Sequence, residues 1–415
     1  MKITRVVVKG LFGIFDHDIP INTQDNITII HGPNGFGKTA LLKLVNSIFR
    51  RDFAELWKIP YHEIEVFLTD DVKLMFRKQM QVLNGIPPLQ AFIYRADETV
   101  ASFFPENNGT LNSIKYKLQE ILTGNITIYG GNNSKEVKTD SSPYEYKQFT
   151  DQIAVHFIET QRLLNVSQII NGSSTTIDPV VELYSKEIVK VIESKLADST
   201  ALVQSLDRSL PVRLVEQSQS GHSLTAQDLQ NKITSLEDKR TRLINAGLLD
   251  QDNNDINFDV FNKFDLSEST KNILTILLDD MEKKLGFFDE TLEKIELLKK
   301  IVNKRFLYKK ISISKDRGFL FTTWDDQALS PTDLSSGEQH ELVLLYDLLF
   351  NMERGALILL DEPELSLHVA WQMEFLRDLQ EIIALTDASF VIATHSPQII
   401  NDRWDLTVEL KGPKQ

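Results

Sequence analysis

The run Gly32-Pro33-Asn34-Gly35-Phe36-Gly37-Lys38-Thr39 fits the pattern G-x-x-x-x-G-K-[ST] at every position. Glycines at this spacing let the backbone curl so that its N–H groups point at phosphates, supported by the positive end of the following helix. Asn34, Gly35 and Gly37 are read as the cradle, and Lys38 as the cation that reaches the β- and γ-phosphates. The Thr39 hydroxyl is read as a Mg²⁺ ligand, so the ligand expected is Mg-ATP. The flanks agree: Ile27 to Ile30 reads as a short apolar strand, and Leu41, Leu42, Leu44 and Val45 share one face of a helix that begins at Lys38. A chance glycine turn is the competing reading, and the strand–loop–helix order weighs against it.

A second chemical pair closes the apolar run Leu357-Ile358-Leu359-Leu360 with Asp361 and Glu362. A buried strand would deliver Asp361 rigidly to the metal, leaving Glu362 to polarise an attacking water. Leu334-Ser335-Ser336-Gly337-Glu338 ends 23 positions earlier (361 − 338 = 23). Ser335 and the amides that open a helix at Gly337 could form an anion site, or serve only as a helix N-cap.

In this order the motifs resemble those of ABC-type ATPases in their SMC and RecF-like form, whose signature ends in Glu, here Glu338. Ser336 departs from the glycine usual at the third place. The resemblance implies that Ser335, Gly337 and Glu338 face the γ-phosphate held by a second copy, giving an ATP-sandwich dimer. It also assigns Pro363 to His368 to the D-loop that crosses the dimer interface. His395, in Thr394-His395-Ser396-Pro397, takes the place of the switch histidine that contacts the γ-phosphate. Gln161, in Phe157-Ile158-Glu159-Thr160-Gln161-Arg162, is the candidate Q-loop residue for nucleotide and metal, with Arg162 as the alternative. The implied catalytic residues are thus Lys38, Glu362 and His395, and the implied metal ligands Thr39, Asp361 and Gln161.

These residues need a scaffold, and the expected one is α/β. It is an ABC ATPase head, a mixed sheet with a P-loop core plus an antiparallel β-subdomain, carrying an inserted helical coiled-coil arm. The boundaries read as 1–178 for the N-terminal part of the head, 179–306 for the arm and 307–415 for the C-terminal part. Ile3 to Lys9 alternates as a strand before a turn at Gly10 to Gly13. Glu63 to Arg77 reads as a hairpin turning at Asp70-Asp71, and Lys310 to Thr323 as another around Lys315-Asp316-Arg317-Gly318. A helix is expected from about Gly337 to Met352, and a final buried strand at Phe390 to Ala393. The Asn-, Gly- and Ser-rich stretch 107–142 reads as a surface excursion.

Within the arm, Leu274, Leu278, Met281, Leu285, Phe288, Leu292 and Ile295 alternate steps of four and three, the seam of a coiled coil. Asp265 and Glu268 have the spacing of a capping box at its start. Leu229, Ile233, Leu236 and Leu243 form a weaker partner seam, interrupted by Arg240. Two antiparallel helices with a tip at Asp250 to Asp255 fit best, against a helical subdomain packed on the body. The 295 positions between Thr39 and Leu334 (334 − 39 = 295) exceed what a transporter ATPase places there.

Bulk properties narrow the function. The chain has 415 residues and no cysteine, so a cysteine-ligated zinc or a thiol nucleophile is excluded, and a reducing cytoplasm fits. The opening Met1-Lys2-Ile3-Thr4-Arg5 does not read as a signal peptide, and no apolar run approaches the ~20 residues of a membrane span. With 45 basic and 59 acidic residues the formal charge is −14, so DNA would need a local basic patch. Lys299, Lys300, Lys304, Arg305, Lys309 and Lys310 form the best such run, which a solvated helix face also explains.

The wording of Leu334 to Glu338, Asp361 to His368 and Thr394 to Pro397 is most similar to the ATPase subunits of the PARIS family of bacterial anti-phage defence systems. That resemblance implies a higher homo-oligomer, a separately encoded TOPRIM-like effector nuclease as partner, and a phage-encoded protein as trigger. Only twenty residues follow His395 (415 − 395 = 20), too few for a TOPRIM domain in the same chain, so the effector is expected elsewhere. The alternatives are an SMC- or RecF-like DNA-repair ATPase that clamps duplex DNA, and the motor of a membrane transporter.

Overall fold

The computed structural model describes residues 1–78, 89–103, 105, 144–159, 164–168, 175–220, 224–251, 267–365 and 367–412. Gln161, Arg162, Asp265, Ser366 and the stretch 107–142 lie outside them. The chain divides into two compact units, Met1–Gln161 with Met352–Gln415, and Arg162–Asn351.

The first unit opens with β1 (Ile3–Leu11), β2 (Phe15–Pro20), β3 (Ile27–His31), α1 (Lys38–Arg50) and α2 (Phe53–Lys58). It continues through β4 (Glu63–Leu68), β5 (Val72–Lys78), β6 (Leu89–Arg95), β7 (Glu98–Phe103), α3 (Tyr144–Thr150) and β8 (Val155–Glu159). The second unit holds β9 (Leu164–Gln168), β10 (Thr175–Pro179), α4 (Val180–Ser220), α5 (Ala226–Asn245), α6 (Glu268–Gly286) and α7 (Asp289–Arg305). It ends with β11 (Lys309–Ser314), β12 (Gly318–Thr323), β13 (Ala328–Leu329) and α8 (Ser336–Phe350). The chain then re-enters the first unit as β14 (Leu357–Asp361), α9 (Val369–Gln372), α10 (Phe375–Thr386), β15 (Ser389–Thr394), α11 (Pro397–Ile400) and β16 (Thr407–Glu409).

Two sheets build the first unit. An antiparallel sheet runs in the order β2-β1-β4-β5-β6-β7, and a parallel one in the order β16-β3-β15-β14-β8. The β4–β5 hairpin turns at Asp70 and Asp71 as expected, both left-handed (φ 65° and 54°), the twist-matched geometry of a two-residue turn. β3, β14 and β15 are apolar without alternation because both faces of a parallel sheet are covered, and Ile27, Ile29, Ile358, Leu360 and Ile392 are buried. Leu41, Leu42, Val45 and Ile48 of α1 share one core with Val6, Val8, Ile64 and Val66 of the antiparallel sheet and Leu357, Leu359 and Val391 of the parallel one. Each such side chain contributes about 1.5–3 kcal/mol by burial, so α1 is held firmly at the end where it meets Lys38 and Thr39.

The arm departs from the two-helix expectation. Among the described residues it has four helices, α4 to α7, and α5 runs parallel to α6, not antiparallel. Lys232 pairs with Asp279 and Glu282, Lys239 with Asp289 and Arg242 with Glu296, positions that rise together. The antiparallel partner of α6 is α4, where Arg213 pairs with Asp280 and Lys284 with Asp207. Leu229, Leu236 and Leu278 form the buried seam, with Ile233, Leu274, Met281 and Leu285 against it. Exposed ion pairs are worth about 0.2–1 kcal/mol each, so the apolar seam holds these helices and the charges set their register.

Residues 252–255 of the expected tip lie outside the described residues, and Asp250 is engaged elsewhere. It pairs with Lys315 of the β11–β12 hairpin, and a Cβ on the neighbouring Gly247 (φ 75°) would meet the Ile313 carbonyl oxygen at 2.0 Å. A heptad pattern reports which residues face a partner and carries no direction, so the seam is legible from residue spacing while the topology is not. The seam also breaks where α6 ends at Gly286 and α7 starts at Asp289, with Phe288 still buried at the step. The N-cap of α6 is Ser267, whose hydroxyl accepts from the Thr270 amide at 3.3 Å, in place of Asp265. Among the described residues, no helix is long and apolar enough to cross a membrane.

Candidate active site

The parallel strands of the first unit end along a common edge. Thr394 of β15 is in register with His31 of β3, and Asp361 of β14 lies between Ala393 of β15 and Glu159 of β8. The loop 32–37, Glu362 to Glu364 and His395 all follow directly from these strand ends. Open parallel sheets bind ligands outside this edge.

The glycine loop has the conformation its sequence requires. Gly35 (φ 84°) and Gly37 (φ 88°) are left-handed, and Gly37 caps α1. A Cβ on Gly37 would meet Leu11 Cδ2 at 2.5 Å, so both conformation and space demand glycine there. Asn34 is exposed on the loop.

Lys38 is buried, and its Nζ donates to the carbonyl oxygens of Gly32 at 2.9 Å and Pro33 at 3.3 Å. It also meets Nε2 of His395, which brings together two residues 357 positions apart. Burial pushes the Lys38 ammonium below its ordinary range, opposed by the charges of Glu362, Asp361 and Glu364. This is a desolvated cation at the rim of a loop of backbone N–H groups, suited to a polyanion.

Thr39 Oγ1 donates to Asp361 Oδ1 at 3.0 Å. Burial raises the Asp361 carboxyl above its ordinary range, Glu362 adds to this, and the Thr39 hydrogen bond opposes it. A carboxylate whose charge is penalised by burial gains from a bound cation. One hydroxyl and one carboxylate are the hard oxygen donors a Mg²⁺ takes when phosphates and waters complete its shell. The donor set therefore fits the metal.

Glu362 adopts a left-handed backbone (φ 48°), fixed by its N–H to the Ala393 carbonyl at 2.8 Å. A non-glycine residue held there costs of order 1–3 kcal/mol, a strain tolerated where the surroundings over-determine it. Its Oε1 lies 3.6 Å from His395 Nε2. Lys38, Thr39, Asp361, Glu362 and His395 thus converge at one strand edge. Gln161 is not among the described residues, although β8, the strand before it, ends beside Asp361.

The signature segment belongs to the second unit. Ser335 is the N-cap of α8 in a full capping box with Glu338, whose Oε2 accepts from both the amide and the hydroxyl of Ser335 at 2.8 Å. Lys309 of β11 donates to both Glu338 oxygens, at 2.8 and 2.7 Å. Burial works against the Glu338 charge, but Lys309 and the two Ser335 donors together hold its carboxyl below the ordinary range. The helix-cap reading and the anion-site reading therefore use the same atoms. The space beside Gly337 is open, since a Cβ there would touch no atom within 4 Å.

Sequence reasoning missed several supporting residues. Lys309 stood in the basic run, yet it serves Glu338, while Arg305 of the same run is buried against Glu341. Lys43, a turn into α1, pairs with Glu159 at 3.0 Å. Glu364 accepts from the His395 amide at 2.7 Å. No local signal marks these pairs, because the partners are brought together only by the fold.

The AAA ATPase domain family matches residues 1–400. No curated protein matches the chain. Among solved structures, it is similar to the SMC head domain from Thermotoga maritima at 11% identity and TM-score 0.37, over 99% of this chain and 95% of that one. It is also similar to an SmcHead bound to the C-winged helix domain of ScpA, at 11% identity and TM-score 0.36, over 96% and 91% of the two chains. A third is the Smc head with an extended coiled coil bound to the C-terminal domain of ScpA, derived from Pyrococcus furiosus, at 12% identity and TM-score 0.32, over 96% and 91%. With its phosphate loop, paired strand-end carboxylates and helical insertion, the chain belongs to the AAA ATPase domain family.

Proposed function

We propose that this chain is the ATP-binding and slowly hydrolysing sensor or scaffold subunit of a bacterial anti-phage defence system, holding a separate effector nuclease and releasing it when a phage protein binds. The observation that carries the ATPase part is the convergence of Lys38, Thr39, Asp361, Glu362 and His395 at one strand edge. The defence role is supported by the wording of the C-terminal motifs, from Leu334 through Pro397.

In this reading the loop amides from Asn34 to Gly37 and the Lys38 ammonium bind the triphosphate. Thr39 and Asp361 hold Mg²⁺, with Gln161 as a further candidate ligand, and the ion supplies charge neutralisation on the β- and γ-phosphates. Glu362 orients a water and accepts its proton, and His395 donates toward the γ-phosphate. Ser335 and the amides at Gly337 complete the site from a second copy, so the working unit is a dimer or a higher homo-oligomer. Glu338 then holds Ser335 in place through the capping box.

Two experiments test the assignment. The purified chain is expected to hydrolyse ATP and to leave radiolabelled DNA and RNA uncleaved. The products of adjacent genes, expressed with it, should co-purify as a complex that a phage protein dissociates. Robust nucleic-acid cleavage by the chain alone would overturn the scaffold role. The DNA-clamp reading predicts binding that falls steeply with salt; the engagement of Lys299, Arg305 and Lys309 with Asn245, Glu341 and Glu338 weighs against its basic run.

A further inference from the structure

Glu364 lies two positions beyond Glu362, on the segment between β14 and α9, and its carboxylate points back under the strand edge. Oε1 accepts from the His395 amide at 2.7 Å, and Oε2 is buried without a hydrogen-bond partner among the described residues. Beside it, the buried Gln372 side chain of α9 donates to the carbonyls of Glu364 at 3.3 Å and Leu367 at 3.2 Å. The same side chain accepts from the Ser396 hydroxyl at 2.7 Å. Two side-chain links therefore tie the segment after β14 to the segment after β15. The amide of His395 is one anchor, and the hydroxyl of Ser396 is the other.

That anchorage fixes the chemistry one atom group away. His395 faces both Lys38 and Glu362, and an imidazole can serve both only if its backbone stays where β15 delivers it. A residue after a strand end has no ladder partner of its own, so its amide needs another acceptor. A charged acceptor gives a bond roughly twice as strong as a neutral one. The bond also joins His395 to an exposed apolar row, since Leu365, Val369 and Met373 follow on the same segment and stand largely in solvent.

We propose that Glu364 is a positioning residue, which holds the His395 backbone so that its imidazole lies between Lys38 and Glu362, and which passes any displacement of the Leu365–Met373 segment to that imidazole. The inference rests on the ATPase reading of the site. Glu364 takes no proton from the reacting water and touches no substrate.

The test uses the full chain and two readouts. In steady-state ATP hydrolysis, Glu364→Ala lowers kcat about 10–100-fold with KM shifted far less, the loss expected when a reacting group moves by an ångström. Glu364→Gln recovers most of that loss, because its amide oxygen still accepts from the His395 N–H. In a His395→Ala background Glu364→Ala adds nothing further, as required of two residues that act as one. The second readout needs no turnover. Amide hydrogen exchange across residues 389–400 is slow in the wild-type chain and in Glu364→Gln, and faster in Glu364→Ala. If the chain hydrolyses no ATP while this exchange pattern holds, the ATPase reading fails and the anchorage stands. Unchanged exchange in Glu364→Ala, or an undiminished effect without His395, overturns the proposal.

Discussion

Thr39 Oγ1 lies 3.0 Å from Asp361 Oδ1, joining the first turn of α1 to the end of β14 across 322 positions of sequence. The strand and the helix bury their apolar residues in a common core, so the pair is set by packing and not by the hydrogen bond itself. A hydroxyl and a carboxylate placed this rigidly can take a Mg²⁺ without rearranging the backbone.

From this geometry, Asp361→Asn keeps the fold, because the amide oxygen still accepts from Thr39, while removing the charge the metal needs. ATP hydrolysis should fall about 100-fold or more, the scale of losing one charged electrostatic contact to a transferring phosphoryl group. The Mg²⁺ concentration at half-maximal rate should rise. A turnover assay titrated with Mg²⁺ checks this, and an unchanged midpoint would remove Asp361 from the metal site.

Lys38→Ala deletes a buried cation whose hydrogen bonds to a phosphate would be charge-assisted, worth about 1.5–3 kcal/mol each. Nucleotide affinity should weaken by at least about 10–100-fold. Isothermal titration with a non-hydrolysable ATP analogue measures it directly. Binding at wild-type strength would show that the loop does not hold the triphosphate.

Glu362→Gln should leave that affinity intact and slow hydrolysis by about 10²–10⁴, since only the proton acceptor is lost. The slowed protein should accumulate as an ATP-bound dimer in size-exclusion chromatography with Mg-ATP. Normal turnover would assign the base elsewhere.

Ser335→Arg places bulk and positive charge where the partner's γ-phosphate is proposed to dock. It should abolish ATP-dependent dimerisation and hydrolysis while a single chain still binds nucleotide. Loss of the N-cap of α8 costs about 1 kcal/mol as well, so a modest drop in melting temperature is part of the expectation. Analytical ultracentrifugation with and without ATP separates the two effects.

The ion pair of Lys309 with Glu338 has a pH signature. The folded-state carboxyl lies below its ordinary value of 4.5, so its contribution is present above about pH 4.5 and is lost as pH falls through the folded-state value. Lys309→Met leaves the Glu338 carboxylate without its counter-ion, held only by the Ser335 amide and hydroxyl, and should destabilise the chain by about 1–3 kcal/mol at pH 7. Thermal melts from pH 7 downward should show this difference shrinking below pH 4.5, where Glu338 takes up a proton. A difference that grows on acidification would contradict the assignment.

Much of the site could be read directly from short stretches of residues. Gly35, Gly37, Lys38 and Thr39 act through backbone conformation and side-chain type within one turn of chain, and Asp361-Glu362 through the end of one apolar strand. Such features are local, so residue order suffices to reveal them. The hairpin at Asp70-Asp71 is legible for the same reason. The seam of Leu274, Leu278 and Met281 was legible as a face, yet its partner direction was not, because heptad spacing is identical for parallel and antiparallel neighbours. The service of Lys309 to Glu338 depends on β11 meeting the start of α8, whereas that of Glu364 to His395 and of Lys43 to Glu159 depends on which parallel strand lies beside which. That ordering comes from burying both faces of a parallel sheet against α1, a many-residue packing result that no pair of positions encodes by itself.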